Sequence, residues 1–441
     1  MTRRQLLGGV ALAGASYWVA PRGTRAAEKA GAVSANEKLD IAVIGIGGRG
    51  RANLNGVAKL KDEANIVALC DVDDKRAGDA YRKFPKAEKF YDYRHMFDKM
   101  GKSIDGVVIS TPDHAHFHPS MVSLQLGKHL YCEKPMAHSV WQSRQMTRLA
   151  REKKVATQLG VQRHTIPNMH RVVEIVQSGA LGEVKECHAW VGGNRGMPKA
   201  PKDYPPVPPH LRWYLWLGQA QDVPYSPAIA PYNWRFWWDY GTGETGNWGC
   251  HVLDIPYWAL KLQYPNRVSA SGPEVHDKGT PRQMATSFRF PKRGDLSEVM
   301  LHWYHAKKGP PVLKERGIPH VGTGALFIGS KYILQAEFGK RRLFSLDGKP
   351  LDLKELGDIA RTVPDSPGFY REWINACKGG EAATCNFDYS GPMAETVLLG
   401  NAAYRAGGEA FDWDAEKLEA KGNDKVKPFL SSYTRKGWEI G

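Results

Sequence analysis

Leu130-Tyr131-Cys132-Glu133-Lys134-Pro135 closes a short apolar strand with a lysine. In open α/β sheets, ligands bind in the crevice beyond the carboxyl ends of the strands. Lys134, with Glu133 beside it and Pro135 restricting the backbone behind it, therefore points toward such a crevice. Upstream, Gly45-Ile46-Gly47-Gly48-Arg49-Gly50 has G-x-G-x-x-G spacing directly after the strand Leu39-Asp40-Ile41-Ala42-Val43-Ile44. Those glycines let the backbone approach a pyrophosphate, and the following helix N-terminus supplies amides and a positive dipole. Asp71 ends the next strand, where a carboxylate can accept hydrogen bonds from an adenosine ribose. A 2′-phosphate would meet like charge there, so NAD is expected over NADP, with Arg49 and Arg76 able to soften the preference. His251 and Asp254 fall on a helix-like segment further on. The chemistry open to these residue types is dinucleotide binding, with acid–base work at a lysine and a histidine.

The elements that must position them alternate from Leu39 to Leu159. Strands are expected at 39–44, 65–70, 90–93, 106–110, 128–132 and 155–159. Helices lie between them, one begun by the capping-box pair Ser139 and Gln142 and running to about Lys154. The strand Gly106 to Ser110 breaks at Thr111-Pro112. Such alternation implies an α/β fold, a doubly wound parallel sheet over 38–160, with a boundary at Gly160. Residues 161–441 read as a second α/β domain. It has a helix near 168–178, a strand at 182–190, a proline-rich loop at 192–233 and a helix from about Gly241 to Leu262. Antiparallel strands near Val268 and at 286–290, 299–304 and 325–328 follow, then helices at 368–377 and 391–405 and a polar tail.

The 441 residues suggest two domains. Fourteen tryptophans, many between Trp190 and Trp258, suggest an aromatic-lined cleft for a flat or carbohydrate-like ligand. The net charge of +15 is scattered, without a nucleic-acid module or a Lys/Arg block, so nucleic acid is not an expected partner. Six cysteines without a CxxC pair argue against a metal or disulfide scaffold. His114, His116 and His118 alternate as H-x-H-x-H, but no metal is expected on that loop. His302 and His305 read as buried, satisfied side chains. Residues 1–30 carry Arg3-Arg4 before a short apolar run, Leu6 to Ala20, and small residues at Ala26-Ala27. This pattern reads as a twin-arginine export signal, so a periplasmic or other extracytoplasmic location is expected. The run is too short to span a bilayer, and no stable membrane insertion is expected after its removal.

The glycine turn, Thr111-Pro112-Asp113-His114-Ala115-His116, Glu133-Lys134-Pro135 and the glycine-rich stretch ending in His251 together resemble the Gfo/Idh/MocA oxidoreductases. Similarity to exported members continues through Gln162, Gly179-Ala180-Leu181-Gly182-Glu183-Val184, Asn233-Trp234-Arg235 and Gly437-Trp438, and so covers nearly everything after the leader. The resemblance implies an N-terminal Rossmann domain and a C-terminal α/β domain with a large open, mostly antiparallel sheet that also mediates homo-oligomers. It implies cofactor contacts from the glycine turn (Gly45, Gly47, Gly48, Arg49, Gly50), Asp71, Thr111, Pro112, His116, Glu133, Lys134, Gln162, Trp234 and Arg235. Substrate contacts fall to Arg163, Trp234, Asn247 and His251. The lysine matching Lys134 touches the nicotinamide ribose and the substrate hydroxyl and takes part in proton transfer. Oxidising a secondary alcohol needs a base within hydrogen-bond reach, and a lysine in a partly dry crevice has a lowered pKa suited to that.

Family members often carry an aspartate four residues before the histidine matching His251; here Asn247 stands there. An amide holds a hydroxyl but cannot take its proton, so Lys134 and His251 are left as the catalytic pair. The leading expectation is an exported NAD-dependent oxidoreductase acting on a carbohydrate or cyclic polyol, with tightly held cofactor. A glycoside hydrolase using transient oxidation and elimination is the alternative. A non-catalytic sugar-binding protein with structural NAD is the third reading.

Overall fold

The structure, a computed structural model, describes residues 37–440; the export-signal segment lies outside them. Two sheets organise the chain. The first has six parallel strands, β1 (Leu39–Ile44), β2 (Ala64–Cys70), β3 (Glu88–Phe90), β4 (Gly106–Ile109), β5 (His129–Cys132) and β6 (Thr157–Leu159), in the order β3-β2-β1-β4-β5-β6. Strands β1 and β4 are almost wholly buried, which explains their unbroken apolar runs where one-sided strands would alternate. Helices α1 (Arg49–Ala58), α2 (Asp74–Lys83), α3 (Tyr93–Met100), α4 (Phe117–Gln125) and α5 (Val140–Lys153) make the crossovers. The Ser139 hydroxyl accepts from the Gln142 amide and so caps α5, while the Gln142 side chain reaches back to the amide of His138.

After α6 (Pro167–Gln177) the second sheet begins with β7 (Val184–Val191). The strap that follows is expected to be wholly loop, but it contains α7 (Trp213–Leu217); α8 (Gly243–Ala259) comes next. Strands β8 (Arg267–Ser271), β9 (Met284–Phe290) and β10 (Val299–His305) precede α9 (Pro311–Glu315). Strands β11 (Thr323–Gly329), β12 (Ile333–Ala336), β13 (Arg341–Phe344) and β14 (Pro350–Leu351) form successive hairpins, and β15 (Phe411–Asp414) and β16 (Glu419–Lys421) close the far edge. The ten strands run β14-β13-β12-β11-β7-β10-β9-β8-β15-β16, and only the β7–β10 pair is parallel. Helices α10 (Phe369–Cys377) and α11 (Phe387–Arg405) return to the first sheet, α10 against α1 and β6, α11 against α5 and α8. Helix α11 begins four residues before Gly391-Pro392, where Asn386 caps it, and it runs on through Pro392, which has no N–H to give the Asp388 carbonyl. No helix among the described residues is long and apolar enough to cross a membrane.

Candidate functional site

The glycine turn joins β1 to α1. Gly45 has φ +79, and a Cβ on Gly50 would lie 1.8 Å from the Gly45 carbonyl oxygen, so the turn closes only around these glycines. Helix α1 has neither a side-chain cap nor an acid in its first turn, so its N-terminus suits an anion, although the Gly50 amide is already given to the Gly47 carbonyl (3.0 Å). Beside it, the Asp71 carboxylate accepts from the amides of Ile46 (2.7 Å) and Asp73 (3.0 Å). Burial raises the Asp71 carboxyl, and those two amides work against it.

At the end of β5 the Glu133 carboxylate accepts from the Asn53 side chain (2.9 Å) and the Gln162 side chain (2.6 Å). Asn53 also donates to Ser110 (2.9 Å), and its carbonyl oxygen accepts from Tyr370 of α10 (2.9 Å). Four segments distant in sequence thus fix Glu133, and Lys134 leaves from a braced strand end. The Lys134–Pro135 peptide is cis. The half-buried Lys134 ammonium donates to the Asn247 side-chain oxygen at 3.0 Å. Burial lowers Lys134 to about 8, Arg235 adds to the drop, and Glu133 and Asp113 oppose it.

Helix α8 supplies the opposite wall. Its N-terminus is gripped by Asp113, which accepts from the Thr242 amide (3.1 Å) and hydroxyl. Burial would raise the Asp113 carboxyl, but Arg235 (3.5 Å away), His116, Thr242 and Lys134 together hold it below its ordinary value. Glu244, Asn247 and His251 sit at i, i+3 and i+7, one face of the helix. The Asn247 amide donates to Glu244 (3.4 Å), and Arg195 pairs with the same fully buried carboxylate. Lys134, Asn247, Glu244 and Arg195 form a continuous polar chain. A Cβ on Gly246 would meet the Thr242 hydroxyl at 1.8 Å and Pro135 at 3.3 Å, so glycine lets α8 pack this close to the Lys134 loop. His251 is buried with Nδ1 unpartnered; burial, Lys134, Arg163 and Arg49 push its imidazole well below the usual range.

These parts face one cavity of 1140 Å³. The strap crosses it and is stitched to the end of β2: Asp74 N donates to His210 O (3.0 Å), Arg212 N to Val72 O (2.9 Å), and the Arg212 guanidinium to Asp74 (2.9 Å). Trp438 closes the far side. Every residue expected from sequence to touch cofactor or substrate lines this cavity except Gly50, which sits behind the turn and acts through packing. Asn53, Asp113 and Glu244 were not expected as site residues. Two of them leave a local signal, Asp113 inside the Thr111-to-His116 motif and Glu244 three residues before Asn247 in a glycine-rich helix start. Of the tryptophans, Trp216, Trp234, Trp248 and Trp438 line the cavity, while Trp190, Trp237 and Trp238 belong to packed clusters.

The histidine expectations divide. His114 bonds the carbonyls of Trp216 (3.0 Å) and Tyr240 (3.3 Å), His116 that of Thr111 (2.9 Å), and His118 that of Trp438, so the three rings share no partner. His305 is buried, but its Nε2 has no partner. His302 does not belong to the core; it is half-buried on the outer face of the second sheet.

The cavity wall suits a dinucleotide. It combines the glycine cradle, uncapped helix amides and a carboxylate, and the buried Thr111 hydroxyl and His116 Nδ1 are left without partners. Residues 39–161 match the family described as "Oxidoreductase family, NAD-binding Rossmann fold", and residues 171–291 match its C-terminal alpha/beta domain. Together the two matches cover more than half of the chain. An inositol 2-dehydrogenase of Salmonella typhimurium is 26% identical over 152 residues, 34% of this chain and 45% of that protein. A levoglucosan dehydrogenase of Pseudarthrobacter phenanthrenivorans is 24% identical over 229 residues, 50% of each chain. The alignments thus span half or less of these relatives' lengths. Among solved structures, the WlbA dehydrogenase from Bordetella pertussis, in complex with NADH and UDP-GlcNAcA, superposes with a TM-score of 0.62 at 16% identity. That match covers 86% of this chain and 99% of that one, and it establishes likeness of fold.

Proposed function

We propose that this chain, which belongs to the Gfo/Idh/MocA oxidoreductase family, oxidises a secondary hydroxyl of a carbohydrate or cyclic polyol. The observation that carries the reading is a lysine of lowered pKa, bonded to Asn247, in one cavity with a complete dinucleotide cradle. The inositol and levoglucosan dehydrogenases among the relatives support the substrate class. NAD, when bound, supplies the hydride acceptor. The glycine turn and α1 amides would hold its phosphates, Asp71 its adenosine ribose, and Thr111, His116, Glu133 and Gln162 its far end. Lys134, as the free amine, accepts the hydroxyl proton. Neutral His251 holds the hydroxyl, because its depressed pKa makes it the weaker base of the two. Asn247 orients the Lys134 amine, and Glu244 and Arg195 fix Asn247 from behind. Arg163 and Trp234 complete the substrate wall.

The free amine is the active form, so oxidation rises with pH through about 8 and levels above it. Asn247→Asp places a carboxylate beside the ammonium and should move that rise up by about 1 unit or more, since an opposite charge within hydrogen-bond reach favours the protonated lysine. A pH–rate profile of kcat/KM checks both statements; an unmoved midpoint in the variant would remove Lys134 from the titration.

The arginine pair of the leader supports export, and the strap supports a cofactor loaded before export and retained. The half-exposed outer face of β8, β9 and β10 supports homo-oligomers. A second reading, redox-neutral glycoside cleavage, is favoured by the amide at Asn247, which leaves the site one acid poorer. Incubation of the purified protein with glycosides and polyols, following reduced nicotinamide and released sugar together, decides between them. Accumulating NADH without cleavage is expected. Catalytic cleavage with no lasting NADH would replace the oxidoreductase by the hydrolase.

A further inference from the structure

On the face of the second sheet turned away from α8, three side chains meet that the proposed reaction does not use. Strand residues alternate between faces. Cys187, Ala189, Leu301 and Trp303 point into the core, so Glu186 and His188 of β7 and His302 of β10 point outward. His188 and His302 are register partners on neighbouring parallel strands, and Glu186 precedes His188 by two residues on the same strand. We propose that Glu186, His188 and His302 form a binding site for a divalent transition-metal ion of the zinc type.

The geometry carries this in three ways. The candidate donor atoms all lie within 4.8 Å of one another. His188 Nε2 is 2.9 Å and His302 Nε2 4.0 Å from the same Glu186 oxygen. Donors around one zinc stand about 3–3.5 Å apart, given bonds of about 2.0–2.2 Å, so only His302 has to swing inward. The other nitrogen of each ring is already engaged: His302 Nδ1 with the Ser287 hydroxyl (2.8 Å) and His188 Nδ1 with the Tyr304 hydroxyl (3.3 Å). When each Nδ1–H donates to its hydroxyl, each Nε2 presents a lone pair toward Glu186, the outer-shell arrangement that orients metal-bound imidazoles. The rings stack at 4.9 Å and 21°, which holds both planes in register. Glu186 and His302 are half-buried in the single chain, which leaves room for a water ligand. Two imidazoles and one carboxylate suit zinc or cobalt(II) better than the hard, oxygen-seeking magnesium or calcium. The other cluster of this kind among the described residues, His164, Asp254 and Cys385, is wholly buried. Its carboxylate is already taken by His164 (2.9 Å) and Tyr389 (2.6 Å), and its thiol is raised well above the ordinary value by burial.

Tag-free protein, stripped with a chelator, is titrated with zinc by calorimetry and with cobalt(II) by visible absorption. One ion per chain is expected, with the intense cobalt bands of a four- or five-coordinate site. His302→Ala and Glu186→Ala, which remove half-exposed side chains, should each weaken binding by at least about tenfold, and Ser287→Ala by roughly 10–100-fold through the lost outer-shell contact. Dinucleotide affinity should stay unchanged in all three. Absence of the cobalt bands in the parent protein overturns the proposal whatever the variants do. So does one-to-one zinc binding that survives both ligand substitutions.

Discussion

Lys134→Ala lowers turnover by about 10²–10⁴, the usual loss when a positioned general base is removed, and leaves dinucleotide affinity within a fewfold of the parent. The two effects separate because the groups do. The glycine turn, the α1 amides and Asp71 lie at the ends of β1 and β2, whereas the Lys134 ammonium faces α8 and bonds Asn247 at 3.0 Å. Losing the ammonium also leaves the Asn247 oxygen without that donor, so KM for the hydroxyl substrate rises somewhat. The residual rate of the variant should no longer show the rise through about 8. Turnover and nicotinamide fluorescence titration on the same preparation give both numbers. A variant within a fewfold of parental turnover would show that the lysine only fills space.

Gly50→Ala has the second-largest effect, and it falls on binding. The added Cβ would sit 1.8 Å from the Gly45 oxygen and 2.8 Å from the Gly45 carbonyl carbon, and both are backbone atoms that no rotamer change can move aside. The turn must open or α1 must shift. Overpacking of this kind costs about 1–3 kcal/mol, equivalent to roughly 10–100-fold in NAD affinity if it falls on the bound conformation. The variant should therefore purify with less cofactor and gain less melting temperature from added NAD than the parent does. Equal cofactor content and equal stabilisation would show the turn to be looser than drawn.

The first sheet was readable because its short buried strands alternate with helices, three of them capped by Asp73, Asp92 and Ser139. The doubly wound order then follows from chain connectivity. The second sheet was readable in its longer strands, β7 to β11, of five to eight residues each. Strands β12 to β16 hold two to four residues each, and β13 opens with Arg341-Arg342; their pairing is decided by hairpins and by the neighbouring edge, not by local pattern. The site divides in the same way. The glycine turn and Lys134 belong to contiguous motifs and could be found from spacing. Asn53 looks like any polar helix residue until the fold sets it 2.9 Å from Glu133, eighty positions away in sequence. Asp113 stood in view after Thr111-Pro112, but its work at the N-terminus of α8 depends on a partner 129 residues later.

The cavity wall draws on Ile44 at one extreme and Trp438 at the other. His118 meets the Trp438 carbonyl, the Trp141 amide donates to Leu430 O (2.9 Å), and Arg435 N donates to Gln219 O (2.9 Å). At about 5–20 residues per second of synthesis, on the order of tens of seconds separate the glycine turn from the segment that seals it. A ribosome-bound chain can fold its first sheet long before that, with the nucleotide cleft still open on two sides. Dinucleotide met before residues 430–438 dock finds a cleft that still lacks its Trp438 wall. The full set of cavity walls exists only once this last segment has arrived, so a chain that ends before residue 430 should hold NAD less tightly than the full chain.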